Sequence, residues 1–71
     1  MESLYDVGQL LKQFGIYIYL GKRLYDIELM DIEVKNLHEA KLIDDDVYKT
    51  ARLIIRREHR IEMTKKETRF I

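Results

Sequence analysis

The chain has 71 residues, a formal net charge of zero, and neither cysteine nor proline. A chain of this length forms one small domain, and without cysteine it has no disulfide, no cysteine-ligated zinc and no thiol catalysis. No apolar run approaches the ~20 residues of a membrane span, and the N-terminal sequence MESLYDVGQLL lacks the basic segment of a signal peptide. We therefore expect a cytoplasmic protein stabilised by compact helix packing or by oligomerisation.

The first predicted helix begins after Ser3, which with Asp6 forms a pattern similar to a capping box. Its apolar residues recur at steps of three and four, which is typical of one buried helical face. This spacing favours a helix that continues to about Leu20 and ends at Gly21. The alternative is a break at Gly15, since a helical glycine costs about 1 kcal/mol relative to alanine and the following IYIYL is β-prone. The residues of the face are Leu4, Val7, Leu11, Phe14 and Ile18.

The second and third predicted helices each begin at an aspartate, which is a favoured N-cap residue. Asp26 is the expected cap of a helix over residues 27 to about 41. Asp44 is the expected cap of a third helix that reaches Glu62. The expected buried face of this third helix consists of Val47, Tyr48, Ala51, Ile54 and Ile55.

Three helices with short connections predict an all-α, up-down-up three-helix bundle. We assign this single small domain to residues 1–62. Residues 63–71 are polar and lack an apolar face, so we expect them to form a tail that frays or projects.

The charges are unevenly distributed along the chain. Residues 1–46 contain five Lys and Arg against ten Asp and Glu, a charge of −5, and residues 47–71 contain eight against three, a charge of +5. This asymmetry favours an anionic partner for the C-terminal part. Packing of the two oppositely charged parts against each other is the simpler interpretation.

No residue pattern in the chain indicates catalysis, a metal site or a cofactor site. His38 and His59 lie on different predicted helices without a suitable carboxylate spacing. Three consecutive acids at residues 44–46 are explained by helix capping, whereas a calcium loop requires ligands at alternating positions. The glycines fit neither the P-loop nor the Rossmann fingerprint. We therefore expect a protein that is not an enzyme and has no small-molecule substrate.

A row of cations is predicted on the third helix, on the face opposite its apolar residues, at steps of three, four and four. Other cations lie close to tyrosines near the end of the first helix. Single-stranded nucleic acid is bound by such combinations, because cations contact phosphates and aromatic rings stack on bases. The same tyrosines could instead complete the core, and a basic helix face is often only solvated. The candidate nucleic-acid-binding residues are Tyr17, Tyr19, Lys22, Arg23, Lys49, Arg52, Arg56 and Arg60, with Arg57 beside them.

The alternative function is a protein-interaction adaptor or a self-associating bundle. Leu53 carries this hypothesis because it lies beside the cations and away from the apolar face of its helix. Leu24 and Ile32 are similarly displaced on the second helix, and the three residues could form one patch.

Most of the chain also resembles a known family. The segments LYDVGQLLKQFGIYIYLGKR, DIELMDIEVKNL and KLIDDDVYKTARLIIRREHR, within residues 4–60, are similar to the YqgQ family of small bacterial cytosolic proteins. The resemblance implies a three-helix bundle in an uncharacterised protein, with single-stranded nucleic-acid binding as a suggested role. It implies no specific binding residue.

Overall fold

The structure is a computed structural model that describes the backbone of residues 1–68 and the side chains of residues 1–65. This part of the chain forms three α-helices and no strand: α1, Leu4–Lys12; α2, Arg23–Glu39; and α3, Asp45–Thr68. The predicted all-α three-helix bundle is confirmed. None of these helices, over the described residues, is long and apolar enough to cross a membrane.

All three helices contribute to one hydrophobic core, and their buried residues recur at helical spacing as predicted. Phe14 is an exception, because it is exposed. Val47 and Tyr48 are partly buried at the edge of this core. The buried residues are Leu4, Val7, Leu11, Ile27, Val34, Leu37, Ile43, Ala51, Ile54 and Ile55.

The prediction that the first helix reaches Leu20 is wrong, and the alternative break at Gly15 is correct. Gly15 has φ = +76°, in the left-handed region that terminates helices. The N–H of Ile16 donates to the carbonyl of Leu11, and that of Gly15 to the carbonyl of Lys12, both at 3.0 Å. These are the two hydrogen bonds of a Schellman motif, which satisfy carbonyls at the helix end.

A non-helical connection therefore joins α1 to α2, and it is held against the bundle at both ends. Ile16 and Ile18 pack on the core. The N–H of Leu20 donates to Oδ1 of Asp26 at 2.7 Å. Asp26 was predicted as the N-cap of α2, but that helix begins at Arg23, so Asp26 lies in its first turn and holds the preceding connection.

The turn from α2 to α3 is short because α2 ends in a second Schellman motif. Lys41 has φ = +61°, and the N–H of Leu42 donates to the carbonyl of Leu37 at 2.9 Å. The predicted cap of α3 is confirmed, since Asp44 Oδ1 accepts the N–H of Val47 at 2.8 Å. The helix then continues to Thr68 instead of ending near residue 62. The last three residues of the predicted tail, 69–71, lie outside the described residues.

Candidate nucleic-acid interface

The cations predicted to form one row on α3 have different environments. Arg52 lies against α2, with its Nε 2.8 Å from Asp31 Oδ1, and its Nη1 donates to the Tyr48 hydroxyl at 2.8 Å. Nε and Oδ1 are both shielded from solvent and are not aligned as a hydrogen bond, so their contact is ionic. Arg52 and Asp31 are only 26% and 25% exposed. Arg52 is therefore not the free, solvent-facing cation that the helical pattern predicts.

Arg23 is also engaged within the bundle. Its Nη2 lies 3.0 Å from Glu58 Oε1 and its Nε 3.4 Å from Glu62 Oε1, so it joins the start of α2 to α3. The neighbouring Lys22 is exposed, with Nζ 5.7 Å from the centroid of the Tyr25 ring. Of the two cations predicted at this position, Lys22 is the one without a carboxylate partner among the described side chains.

Three arginines converge on a groove of α3 that faces solvent. Arg56 and Arg60 are exposed, and their guanidinium groups have no ion-pair or hydrogen-bond partner among the described residues. Arg57 donates from Nη2 to the carbonyl of Glu2 at 3.0 Å, and its Nε lies 3.6 Å from Glu58 Oε2. We call this site the arginine groove, and its lining residues are Met1, Glu2, Thr50, Leu53, Ile54, Arg56, Arg57 and Arg60.

The predicted stacking residues lie elsewhere on the surface. Tyr17 and Tyr19 belong to the connection before α2 and are 73% and 88% exposed. Neither residue lines the arginine groove. Both rings are open to a ligand, and they lie outside the groove that the α3 arginines line.

Lys49, the remaining predicted cation, is exposed near the start of α3. The hydrogen bond and charge of His38 lower the pKa of Asp45, and the charge of Lys49 lowers it further. His38 Nε2 lies 2.7 Å from Asp45 Oδ1, and the His38 ring stacks on Tyr48 with centroids 3.9 Å apart. This cluster joins the end of α2 to the start of α3.

The second histidine also has a carboxylate partner, since His59 Nε2 lies 3.0 Å from Glu28 Oε2. Within the described part of the chain, no three His, Asp or Glu side chains are placed to hold a metal ion. Each histidine therefore links α2 to α3 through a single carboxylate.

The predicted apolar patch is not assembled at the arginine groove. Leu53 lines the groove and is 71% exposed, but Leu24 and Ile32 are not among its lining residues. Met1 is the other exposed apolar residue at this site. The groove therefore combines a small apolar surface with three guanidinium groups.

Comparison with known proteins places the chain among small bacterial relatives. A family model described as YqgQ-like matches residues 1–61. The chain is also 40% identical over 65 residues to "Uncharacterized protein YqgQ" of Bacillus subtilis (strain 168), a match that covers 92% of this chain and 89% of that protein. Neither description states an activity.

Proposed function

The chain belongs to the YqgQ-like family, and we propose that it is a non-enzymatic cytoplasmic protein that binds single-stranded nucleic acid. The observation that carries this proposal is the exposure of Arg56 and Arg60 without carboxylate partners in the described part of the chain. The uneven charge of the sequence supports it, because these arginines lie in the half with a charge of +5.

Phosphates are the groups that the arginine groove suits best. A guanidinium group presents a planar set of donors that matches two phosphate oxygens at once. Arg56 and Arg60 are four residues apart on a helix, so their side chains are neighbours on one face. Arg57 adds a third guanidinium, although it is already bound to the carbonyl of Glu2.

The exposed tyrosines favour a single strand over a duplex. Base stacking on Tyr17 or Tyr19 requires bases that are not already stacked within a double helix. Lys22 follows these tyrosines closely in the chain and supplies an exposed cation near the end of the same connection. The proposed site therefore keeps Tyr17, Tyr19 and Lys22 and excludes the paired Arg23.

The test is a fluorescence-anisotropy titration with labelled single-stranded oligonucleotides at several salt concentrations. Each phosphate contact lowers the slope of log K against log salt by about 0.7 for a single strand. The double variant Arg56→Ala/Arg60→Ala should therefore weaken binding and flatten the slope by about 1.4. The matched control is Lys12→Ala/Lys41→Ala, which removes two exposed cations that lie outside the arginine groove and have no ion pair among the described side chains.

Two outcomes would contradict this function. One is the absence of binding at low salt, or binding that does not depend on salt. The other is an equal loss of slope in both double variants, which would mean that overall charge matters and the groove does not.

A protein partner is the second candidate, and the exposure of Leu53 favours it. Among the described side chains, the face of α3 around Leu53 carries Lys49, Arg56, Arg57 and Arg60 against Asp46, a net charge of +3. Antiparallel pairing of two α3 helices about Leu53 would bring Lys49 opposite Arg57, and this repulsion disfavours a second copy at this face. A protein partner with an acidic surface would match this charge.

Capture from a cytosolic extract with and without nuclease separates the two functions, because only a protein contact survives nuclease.

A further inference from the structure

The backbone of the connection between α1 and α2 has unused hydrogen-bonding groups. We call residues 16–20 the tyrosine segment. Among the described residues, the N–H and C=O groups of Tyr17, Ile18 and Tyr19 have no hydrogen-bond partner. At either end, the N–H of Ile16 donates to Leu11 and that of Leu20 donates to Asp26. The segment is therefore anchored at its ends and unpaired in its middle.

The side chains of the tyrosine segment alternate as they do in a β-strand. Ile16 and Ile18 pack on the core, and Tyr17 and Tyr19 between and after them point to solvent. A period of two residues is that of an extended chain, in which successive side chains lie on opposite sides. An exposed extended segment with free backbone groups is a template for pairing with another strand.

We propose that the tyrosine segment pairs with the same segment of a second copy of the chain, as two antiparallel strands. With Ile18 at the centre, Tyr17 of each copy lies opposite Tyr19 of the partner subunit. Aromatic and β-branched cross-strand pairs are among the favourable ones in sheets. The segment is thus complementary to itself in both its backbone and its side chains.

The lack of charge in the tyrosine segment favours it over the arginine groove as the surface that binds a second copy. The tyrosine segment has no charged residue in a chain that is 37% charged, so two copies meet without repulsion. The face of α3 around Leu53 has a net charge of +3 among its described side chains, so it repels the same face of a second copy. The pairing also leaves the tyrosine rings on the outer face of the two strands, so it does not depend on nucleic-acid binding.

The small size of the contact determines the conditions of the test. Two short strands bury far less than the roughly 800 Å² per partner of a standard interface. The dimer is therefore weak, and it should be sought by analytical ultracentrifugation at concentrations up to about 1 mM, in the absence of nucleic acid. The expected result is a reversible monomer–dimer equilibrium.

The variant Tyr17→Lys/Tyr19→Lys should raise the dimer dissociation constant at least about tenfold, because two like-charge pairs then face each other. The matched control is Tyr5→Lys, since Tyr5 is on α1 and, at 72% exposed, is as accessible as Tyr17. The control should retain the dissociation constant of the unchanged chain. Circular dichroism establishes that each variant keeps its helical structure.

The pairing of Tyr17 with Tyr19 of the partner subunit is tested by mixing variants of opposite charge. The variant Tyr17→Glu/Tyr19→Glu should also be monomeric alone, but it should form a mixed dimer with the Lys variant, because each new carboxylate then faces an ammonium group. A chain that stays monomeric to about 1 mM overturns the proposal, whether or not the protein binds oligonucleotides. A dimer that is indifferent to the Lys variant, or equally weakened by Tyr5→Lys, overturns it too.

Discussion

The arginines of α3 have different environments although they lie on successive turns of one helix. Arg52 is bound to Asp31 and to the Tyr48 hydroxyl. Arg56 and Arg60 are exposed, and their guanidinium groups have no such partner in the described part of the chain. Arg52 and Arg56 are four residues apart, so their own helix places them on similar faces. The difference arises from the carboxylate that α2 brings to one of them.

The largest expected difference in stability is between substitutions of two adjacent apolar residues of α3. Ile54 is buried in the core, and Leu53 is exposed in the arginine groove. Ile54→Ala should lower the free energy of unfolding by about 2–5 kcal/mol, because it removes buried methyl groups and leaves a cavity. Leu53→Ala should change it by less than about 0.5 kcal/mol. Urea unfolding followed by circular dichroism measures both, and similar losses would show that Leu53 also contributes to the folded core.

A smaller difference is expected between the arginines. Arg52→Ala should lower the free energy of unfolding by about 1–3 kcal/mol, because it leaves a shielded oxygen of Asp31 without its cation. Arg56→Ala should change it by no more than about 0.5 kcal/mol. For a domain of this size, 1 kcal/mol corresponds to about 4–8 °C in the midpoint of thermal unfolding. Equal midpoints for the two variants would contradict the distinction between a paired Arg52 and an unpaired Arg56.

The smallest effect is expected at the start of α3 and depends on pH. The hydrogen bond and charge of His38 lower the pKa of Asp45 below its ordinary value of 3.8. The unfolded chain therefore binds a proton at this group before the folded chain does, and the stabilisation is present above pH 3.8 and lost as pH falls through the folded pKa.

Asp45→Asn should remove this part of the acid dependence of stability. The control is Asp46→Asn, because Asp46 makes no such contact with a histidine among the described residues. NMR titration of the Asp45 carboxyl group measures its pKa directly. A pKa at or above 3.8 would mean that the His38 contact does not persist in solution.

The sequence was sufficient to predict three helices and most of their buried residues, because apolar spacing depends on neighbouring residues. It misplaced the end of α1 because Ile18 fits both a helical spacing from Phe14 and a two-residue alternation from Ile16. The left-handed conformation of Gly15 decides between these patterns. Lys41 shows the converse, since it adopts a similar conformation although lysine gives no signal for it.

The candidate site was predicted less completely than the fold. Exposure of Arg56 and Arg60 agrees with their position opposite the apolar face of α3. The ion pairs of Arg23 and Arg52 could not be predicted from either helix alone, because they depend on the position of α2 along the axis of α3. That register is determined by packing of the whole core, which brings Asp31 beside Arg52.

The contact between Asp26 and Leu20 connects the end of the tyrosine segment to the start of α2. The carboxylate of Asp26 accepts the N–H of Leu20, so the connection and the first turn of α2 share a hydrogen bond. The same turn begins with Arg23, which is paired with Glu58 of α3. A short path of two contacts therefore joins the residue after Tyr19 to the C-terminal half of α3.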